Sequence, residues 1–330
     1  MMRAPRFWHA PRDRPGMLPR LLAPLGARYA AGTARRLRRP AYEPRVPVIC
    51  VGNLTAGGAG KTPAVIALIE RLSARGLAVH VVSRGYGGRL AGPARVNEAL
   101  HRAEDVGDEP LVLAAFAPAW VARDRAAGVR AAEGAGAQVI VLDDGFQSPA
   151  VRPSLGLVVI DAARGFGNGR CIPAGPLREP VGTGLGRADL VLTVGDAPAQ
   201  AQFDADWGAM VRLPRLKGVL RPLQMGMTWQ GERVLAFAGI ADPPRFFATL
   251  RAEGAELVRG EALGDHARLS ETLLRRLAAE AAASDAHLVT TEKDAARLPP
   301  SWRVKVLTLV VRLQIEDWSA LDTRLGALGL

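Results

Sequence analysis

The stretch Val48-Ile49-Cys50-Val51-Gly52-Asn53-Leu54-Thr55-Ala56-Gly57-Gly58-Ala59-Gly60-Lys61-Thr62-Pro63 joins a short apolar run to a glycine-rich turn, and a helix-compatible segment follows over 63–74. An unbroken apolar run of four residues marks a strand buried on both faces, the kind that parallel sheets use. The turn has the composition of a phosphate-binding loop. Its glycines let backbone N–H groups converge on phosphate oxygens, and the helix N-terminus adds its positive end. Thr55, Gly57, Gly58, Ala59, Gly60, Lys61 and Thr62 form the expected cradle. Lys61 would reach the β- and γ-phosphates, and the Thr62 hydroxyl would ligate Mg2+. The strict GxxxxGK[ST] pattern fails at one point, where Thr55 replaces the first glycine.

Outward from this stretch, apolar runs recur at 79–82, 139–142, 157–160 and 190–194, several separated by segments of helical composition. Residues 162–187 are rich in Gly and Pro and read as a long functional loop. The alternation restarts after Gly231, with strands at 234–237, 288–290 and 304–311 and helices at 244–253 and 269–283. The expected fold is therefore α/β: a P-loop NTPase-like parallel sheet domain with a second, smaller α/β domain and an N-terminal amphipathic helix. The expected divisions are 1–45 for a basic membrane-associating segment, 46–225 for the P-loop domain and 226–330 for the smaller domain closing over the site.

Charge is distributed unevenly along the 330 residues, whose net charge is +11. Residues 1–45 hold eleven Arg against Asp13 and Glu43, a balance of +9, and the remainder is nearly neutral. Within 17–39, Leu18, Leu21, Leu22, Leu25 and Tyr29 fall on one helical face, bordered by Arg20, Arg28, Arg35 and Arg39. That pattern suits a helix lying in an anionic lipid interface. A helix packed on the body, or a nucleic-acid-binding arm, would give a related pattern. No run reaches the roughly 18–20 apolar residues that span a bilayer. Cys50 and Cys171 stand far apart, which argues against a disulfide scaffold or a structural zinc site. Only four of the 43 basic residues are lysines: Lys61, Lys217, Lys293 and Lys305. A lysine inside a motif is thus expected to be there for its chemistry.

Further clusters carry chemistry. The run 139–142 ends in Asp143-Asp144-Gly145, and a carboxylate at a strand end beside a phosphate loop is where a second Mg2+ contact belongs. Either Asp143 or Asp144 could supply it. Ser83-Arg84-Gly85-Tyr86-Gly87-Gly88 follows another strand, Val106-Gly107-Asp108-Glu109-Pro110 sets two acids in a turn, and 173–180 reads PAGPLREP. Together with DDGFQ at 143–147, GFGNGR at 165–170, Asp265-His266 and Thr291-Glu292-Lys293-Asp294, these segments resemble the tetraacyldisaccharide 4′-kinase family, in the same order from about residue 46. That family's loop carries Thr at the position of Thr55. Ser148 departs from the His that many members have after DDGFQ, and one histidine, His266, stands where many carry two.

The resemblance implies transfer of the γ-phosphate of ATP, with Mg2+, to the 4′-hydroxyl of a tetraacylated glucosamine disaccharide 1-phosphate in lipid A synthesis. It implies Asp108 as the base, paired with His266 from the second domain, and Lys61 as the third catalytic residue. Arg84, Tyr86, Arg123, Gln147, Arg178 and Glu179 are further candidates for substrate or phosphate contact. It also implies a peripheral enzyme on the cytoplasmic face of the inner membrane, with the lipid substrate and an anionic membrane surface as partners and no nucleic acid. Two other readings of the residues are a P-loop GTPase or metal-insertion ATPase, for which TEKD at 291–294 nearly matches a guanine-reading motif, and a nucleic-acid-dependent ATPase using the basic arm. The body lacks the aromatic-interleaved basic patch that the last would use, aromatics being 5% of the chain.

Overall fold

In the computed structural model, which describes residues 5–224, 226–265 and 267–330, the basic segment forms α1 (Met17–Leu37) ahead of the first strand. The phosphate-loop region then runs β1 (Val48–Gly52), α2 (Lys61–Ser73) and β2 (Val79–Ser83). The next part holds β3 (Ala94–Arg95), α3 (Ala103–Val106), α4 (Asp108–Ala114), β4 (Ala119–Val121), α5 (Arg125–Gly134) and β5 (Val139–Asp143). It continues through β6 (Leu155–Asp161), α6 (Val181–Leu185), β7 (Leu190–Val194), α7 (Ala197–Trp207) and β8 (Arg215–Pro222). A second group follows: β9 (Arg233–Ala238), α8 (Pro243–Ala252), β10 (Glu256–Ala262), α9 (Glu271–Ala283), β11 (His287–Thr291), α10 (Glu292–Ala295), α11 (Pro300–Arg303) and β12 (Leu307–Leu309). The described chain closes with β13 (Val311–Ile315) and α12 (Ser319–Ala327).

Nine strands form one sheet in the order β13-β8-β7-β6-β1-β5-β2-β4-β3. The two edge strands, β13 and β3, run antiparallel to their neighbours, and the seven between are parallel. β1 lies near the middle, flanked by β5 and β6, and every residue in β1, β2, β5, β6 and β7 is buried. Burying each Val, Leu or Ile contributes about 1.5–3 kcal/mol, which makes these unbroken runs the stable centre of the fold. One apolar layer forms where Val65, Leu68, Ile69 and Leu72 of α2 meet the sheet, and a second on its opposite face around Phe146, Phe166 and Phe203. The smaller sheet has the order β10-β9-β11-β12, all parallel.

The five apolar runs nearest the phosphate loop are strands as expected, and helix α2 begins two residues early, at Lys61. Other elements differ from the expectation. The final run at 304–311 is not one strand: Val304 is 90% exposed, and the chain forms β12 and then β13 on two different sheets. Residues 311–315 pair with β8, so the segment after Val310 rejoins the large sheet rather than staying with β9–β12. The 162–187 segment is stitched down. The Asn168 amide donates to the carbonyls of Phe7 (3.0 Å) and Ala174 (2.9 Å), and Trp8 Nε1 donates to the Pro173 carbonyl (3.0 Å).

α1 buries Pro19, Gly26 and Thr33 against the body. Leu18, Leu21, Leu25 and Tyr29 are exposed, and Leu22 is half-buried. The helix therefore docks by its small residues and turns its large apolar ones outward. Among the described residues, no helix is long and apolar enough to cross a membrane.

Candidate active site

The loop after β1 is held from three sides. Asn53, fully buried, donates from its amide to the Thr55 carbonyl (2.8 Å). Ala56 N–H donates to the Pro176 carbonyl (2.7 Å), and Arg178 N–H to the Leu54 carbonyl (2.7 Å). Gly60 caps α2 with φ 84°, a conformation that side chains other than glycine rarely adopt, and this turns the loop into the helix. Gly52 serves a different need: a Cβ there would lie 2.4 Å from that of Phe146, so only glycine lets the DDGF turn cross the end of β1. The expected cradle residues Thr55, Gly57, Gly58, Ala59, Gly60, Lys61 and Thr62 lie on this loop and on the first turn of α2. Lys61 and Thr62 open the first turn of α2, and their side chains are half-buried.

β5, the neighbour of β1, delivers Asp143 and Asp144 to the same edge, and the two carboxylates differ sharply. Asp143 is 2% exposed, and its Oδ2 accepts from the Ser83 hydroxyl (3.0 Å). Its buried Oδ1 has no hydrogen-bond partner. Burial, with the nearby charges of Glu109 and Asp144, pushes this carboxyl up to about 7. Asp144 adopts φ 48° and turns toward cations, with Lys61 Nζ 3.6 Å away and Arg178 Nη1 3.0 Å away. Burial pushes Asp144 up, but Lys61, Arg178 and Arg125 outweigh it and hold the carboxyl below its usual range. An unpartnered, buried carboxylate oxygen beside a phosphate loop fits a divalent cation, which commonly takes one or two protein oxygens and completes its shell with phosphate and water. Among the described residues, no three His, Cys, Asp or Glu side chains form a larger metal-holding group.

Gln147 and Glu179 sit behind Arg178. Gln147 accepts from Arg178 (3.1 Å) and donates to the Asn53 carbonyl (2.9 Å) and to Glu179 (3.0 Å). Glu179, 1% exposed, also pairs with Arg187 at 2.6 Å. Of the two, Arg178 carries its charge toward the site, and Glu179 braces it from inside. Ser148 takes part in the turn itself, its N–H donating to the Gly145 carbonyl (2.9 Å).

Asp108 is the first residue of α4 and 3% exposed. Its Oδ1 accepts from the Glu109 N–H (3.0 Å), and its Oδ2 faces Arg297 Nε (3.8 Å) and Lys293 Nζ (3.9 Å) of the second sheet group. The SRGYGG turn lies directly against it, because a Cβ on Gly107 would stand 2.6 Å from the Tyr86 carbonyl. Arg84 and Tyr86 are exposed on that turn. Arg123, also exposed, directs its guanidinium to the Arg89 carbonyl (3.2 Å) instead. His266 lies outside the described residues. The two sheet groups also meet through Arg164–Asp242 (2.6 Å) and Arg245–Asp161 (3.3 Å).

The sequence reading missed Asn53 as a brace, Ser83 as the partner of Asp143, and Arg125, whose buried guanidinium donates to the Asp144 carbonyl (2.7 Å). Nothing local marks Arg125, since Asp124-Arg125 reads only as a helix start. TEKD is not a base-reading motif. Asp294 is fully buried, and its carboxylate accepts from the Gly239 N–H (3.0 and 3.2 Å) and the Thr291 hydroxyl (2.6 Å), which leaves nothing to present to a guanine.

The sequence profile of the family Tetraacyldisaccharide-1-P 4'-kinase matches residues 18–328. A Tetraacyldisaccharide 4'-kinase of Dinoroseobacter shibae is 62% identical over 99% of this chain and 98% of its own. One of a Jannaschia species is 56% identical over 98% of each. Among solved structures, LpxK from Aquifex aeolicus in complex with ATP has a similar fold, with a TM-score of 0.75 at 24% identity over 94% of this chain and 99% of that one.

Proposed function

The chain belongs to the tetraacyldisaccharide-1-P 4′-kinase family, and from this we infer that it transfers the γ-phosphate of ATP to the 4′-hydroxyl of tetraacyldisaccharide 1-phosphate, with Mg2+, in lipid A synthesis. The observation that carries the reading is the convergence, on one edge of the large sheet, of loop 55–62, the Asp143–Asp144 pair and the buried Asp108.

The loop amides and Lys61 bind the β- and γ-phosphates, and Arg178 adds a second cation beside Asp144. Asp143 and Thr62 are the residues that would hold Mg2+, which when bound supplies positive charge to the phosphate oxygens. Asp108 takes the proton of the 4′-hydroxyl as its oxygen bonds to the γ-phosphorus and the bond to the ADP oxygen breaks. The result is a 4′-phosphate, ADP and a protonated Asp108, which returns its proton to solvent. His266 is the relay partner that the family resemblance assigns to Asp108. Arg84 and Tyr86, exposed on the turn beside Asp108, are assigned to contact with the disaccharide.

The substrate is a lipid, and we assign α1 to its membrane. The helix shows Leu18, Leu21, Leu25 and Tyr29 to solvent within a segment of net charge +9, which supports an anionic lipid surface over nucleic acid. Use of ATP puts that surface on the cytoplasmic side of the inner membrane. The assay is incubation with ATP, Mg2+ and the lipid disaccharide 1-phosphate, followed by mass spectrometry. A product heavier by one phosphoryl group at the 4′ position is expected from the parent and not from Lys61→Ala. An unchanged acceptor with the parent enzyme would refute the reading.

A further inference from the structure

Lys293, one of only four lysines in the chain, sits where the two sheet groups meet. Its backbone is fixed to the small sheet. The Thr291 hydroxyl caps α10 by accepting from the Asp294 N–H (3.1 Å), and Asp294 is buried on Gly239 and ion-paired with Arg297. Its neighbours reach elsewhere. Glu292 takes a two-pronged bond from Arg312 of β13, at 2.7 and 3.0 Å, which ties α10 to the large sheet. Lys293 reaches α4, with Nζ 3.1 Å from Glu109 Oε1 and 3.9 Å from Asp108 Oδ2.

A carboxylate that is 3% exposed is costly unless opposite charge and hydrogen bonds compensate it. Among the described residues, Asp108 receives those from at least two directions. Its own helix supplies the Glu109 N–H to Oδ1, and the small sheet supplies Lys293 and Arg297 to Oδ2. One oxygen is thus oriented from within the large sheet group and the other from across the boundary. A cation suits this place, because it can face the Glu109 and Asp108 carboxylates at once.

We propose that Lys293 is a positioning residue for the phosphoryl transfer: through Glu109 and Asp108 it orients the base, and it does so only while the small sheet is seated against α4. The proposal rests on the reading of Asp108 as the base. Lys293 touches no reacting atom in this account, and its effect falls on turnover rather than on nucleotide binding.

The test is steady-state kinetics of the full chain with ATP, Mg2+ and the lipid acceptor. Lys293→Met should lower kcat on the order of 100-fold, the loss expected when a reacting group is misplaced by about 1 Å. KM for ATP should stay within about twofold. Lys293→Arg should recover a large part of the loss, and in an Asp108→Asn background Lys293→Met should cost little more. Thermal melting reports folding, and Lys293→Gln serves if the methionine variant does not fold. Parent-like kcat in both uncharged variants overturns the proposal, as does a rise in KM for ATP with kcat intact, or an arginine variant no better than methionine. Because the parent runs in the same assay, an inactive parent overturns the kinase reading and the proposal together, whereas an active parent beside unaffected variants overturns the proposal alone.

Discussion

Asp143, the last residue of β5, and Asp144, in the turn that follows, have different surroundings, and the difference was invisible in the string Asp143-Asp144. Asp143 ends the strand and Asp144, at φ 48°, turns out of it, but how each is partnered depends on Ser83, Lys61 and Arg178, which come from three other places in the chain. Asp143 keeps one buried oxygen unpartnered, a cost to stability that the Mg2+ role proposed for it would account for. Asp143→Asn should therefore lower kcat by at least about 100-fold, the scale of a lost charge-stabilising contact. It should leave the melting temperature without nucleotide unchanged or raised, and abolish the extra stabilisation that Mg2+ adds to ATP. Asp144→Asn should lower the melting temperature instead, since it strands Lys61 and Arg178; a calorimetric comparison of the two variants decides the assignment. A third buried group sets a pH dependence away from the site. His80 on β2 accepts from Trp120 Nε1 (3.4 Å), and burial, then Arg95, depresses its basicity below the ordinary 6.5. Below that value the unfolded chain takes up a proton that the folded chain resists, so His80 costs stability as pH falls through 6.5 and costs none above it. Urea midpoints measured at pH 7.5 and 5.5 should differ less in His80→Asn than in the parent, and an equal difference would exclude His80 as a source.

The elements that could be read from the sequence share one physical property, which is that their signal is local. β1, β2, β5, β6 and β7 are unbroken apolar runs because both faces are covered, and the glycine-rich turn after β1 needs no distant partner to be recognised. β10 escaped because it is an edge strand carrying Glu256, Arg259 and Glu261, with Arg259 and Glu261 paired to each other and to α9. β8 carries Arg215, Lys217 and Arg221 and so shows no unbroken apolar run, and β4 is three residues long, behind Pro118. α1 was legible as an amphipathic helix, yet its sequence could not say which face meets the protein. Gly26 decides that, since a Cβ there would lie 2.9 Å from the Cys171 carbonyl, and the large apolar residues are left outside. If that outer face enters lipid, replacing Leu18, Leu21 and Leu25 together by Ser should reduce sedimentation with anionic vesicles by roughly 10-fold or more, given about 25 cal/mol for each Å² of apolar surface withdrawn from water. The melting temperature should barely move, because these side chains contact little of the body. Retained vesicle binding with a lowered melting temperature would mean the face packs on protein instead.

At the scale of the whole molecule, the chain does not run through its two sheets in succession. It leaves the large sheet after β8, builds β9 to β12, and returns with β13 and α12 to the sheet it left. Composition could not reveal this, because Val304 to Val311 reads as one strand, while its residues divide between a turn, the small sheet and the first residue of β13. The return gives the small sheet group two connections to the large one, through 223–232 and through Val310, so its seating against α4 is constrained at both ends. It also puts the last helix in the large core. Leu321 and Leu325 are fully buried among α2 and β13 side chains, and Asp322 pairs with Arg71 (2.5 Å) and Arg75 (2.6 Å) of the α2 region. Leu321→Ala should therefore cost about 2–5 kcal/mol, the usual range for a buried leucine. That loss should appear in the large sheet although Leu321 follows the small one in sequence. Amide hydrogen exchange resolves where it falls: faster exchange is expected in α2, β7 and β8, with β9 and β11 protected as in the parent. Loss of protection confined to β9–β12 would mean that the closing segment belongs energetically to the small sheet, and that the return to β8 contributes little to holding the two groups together.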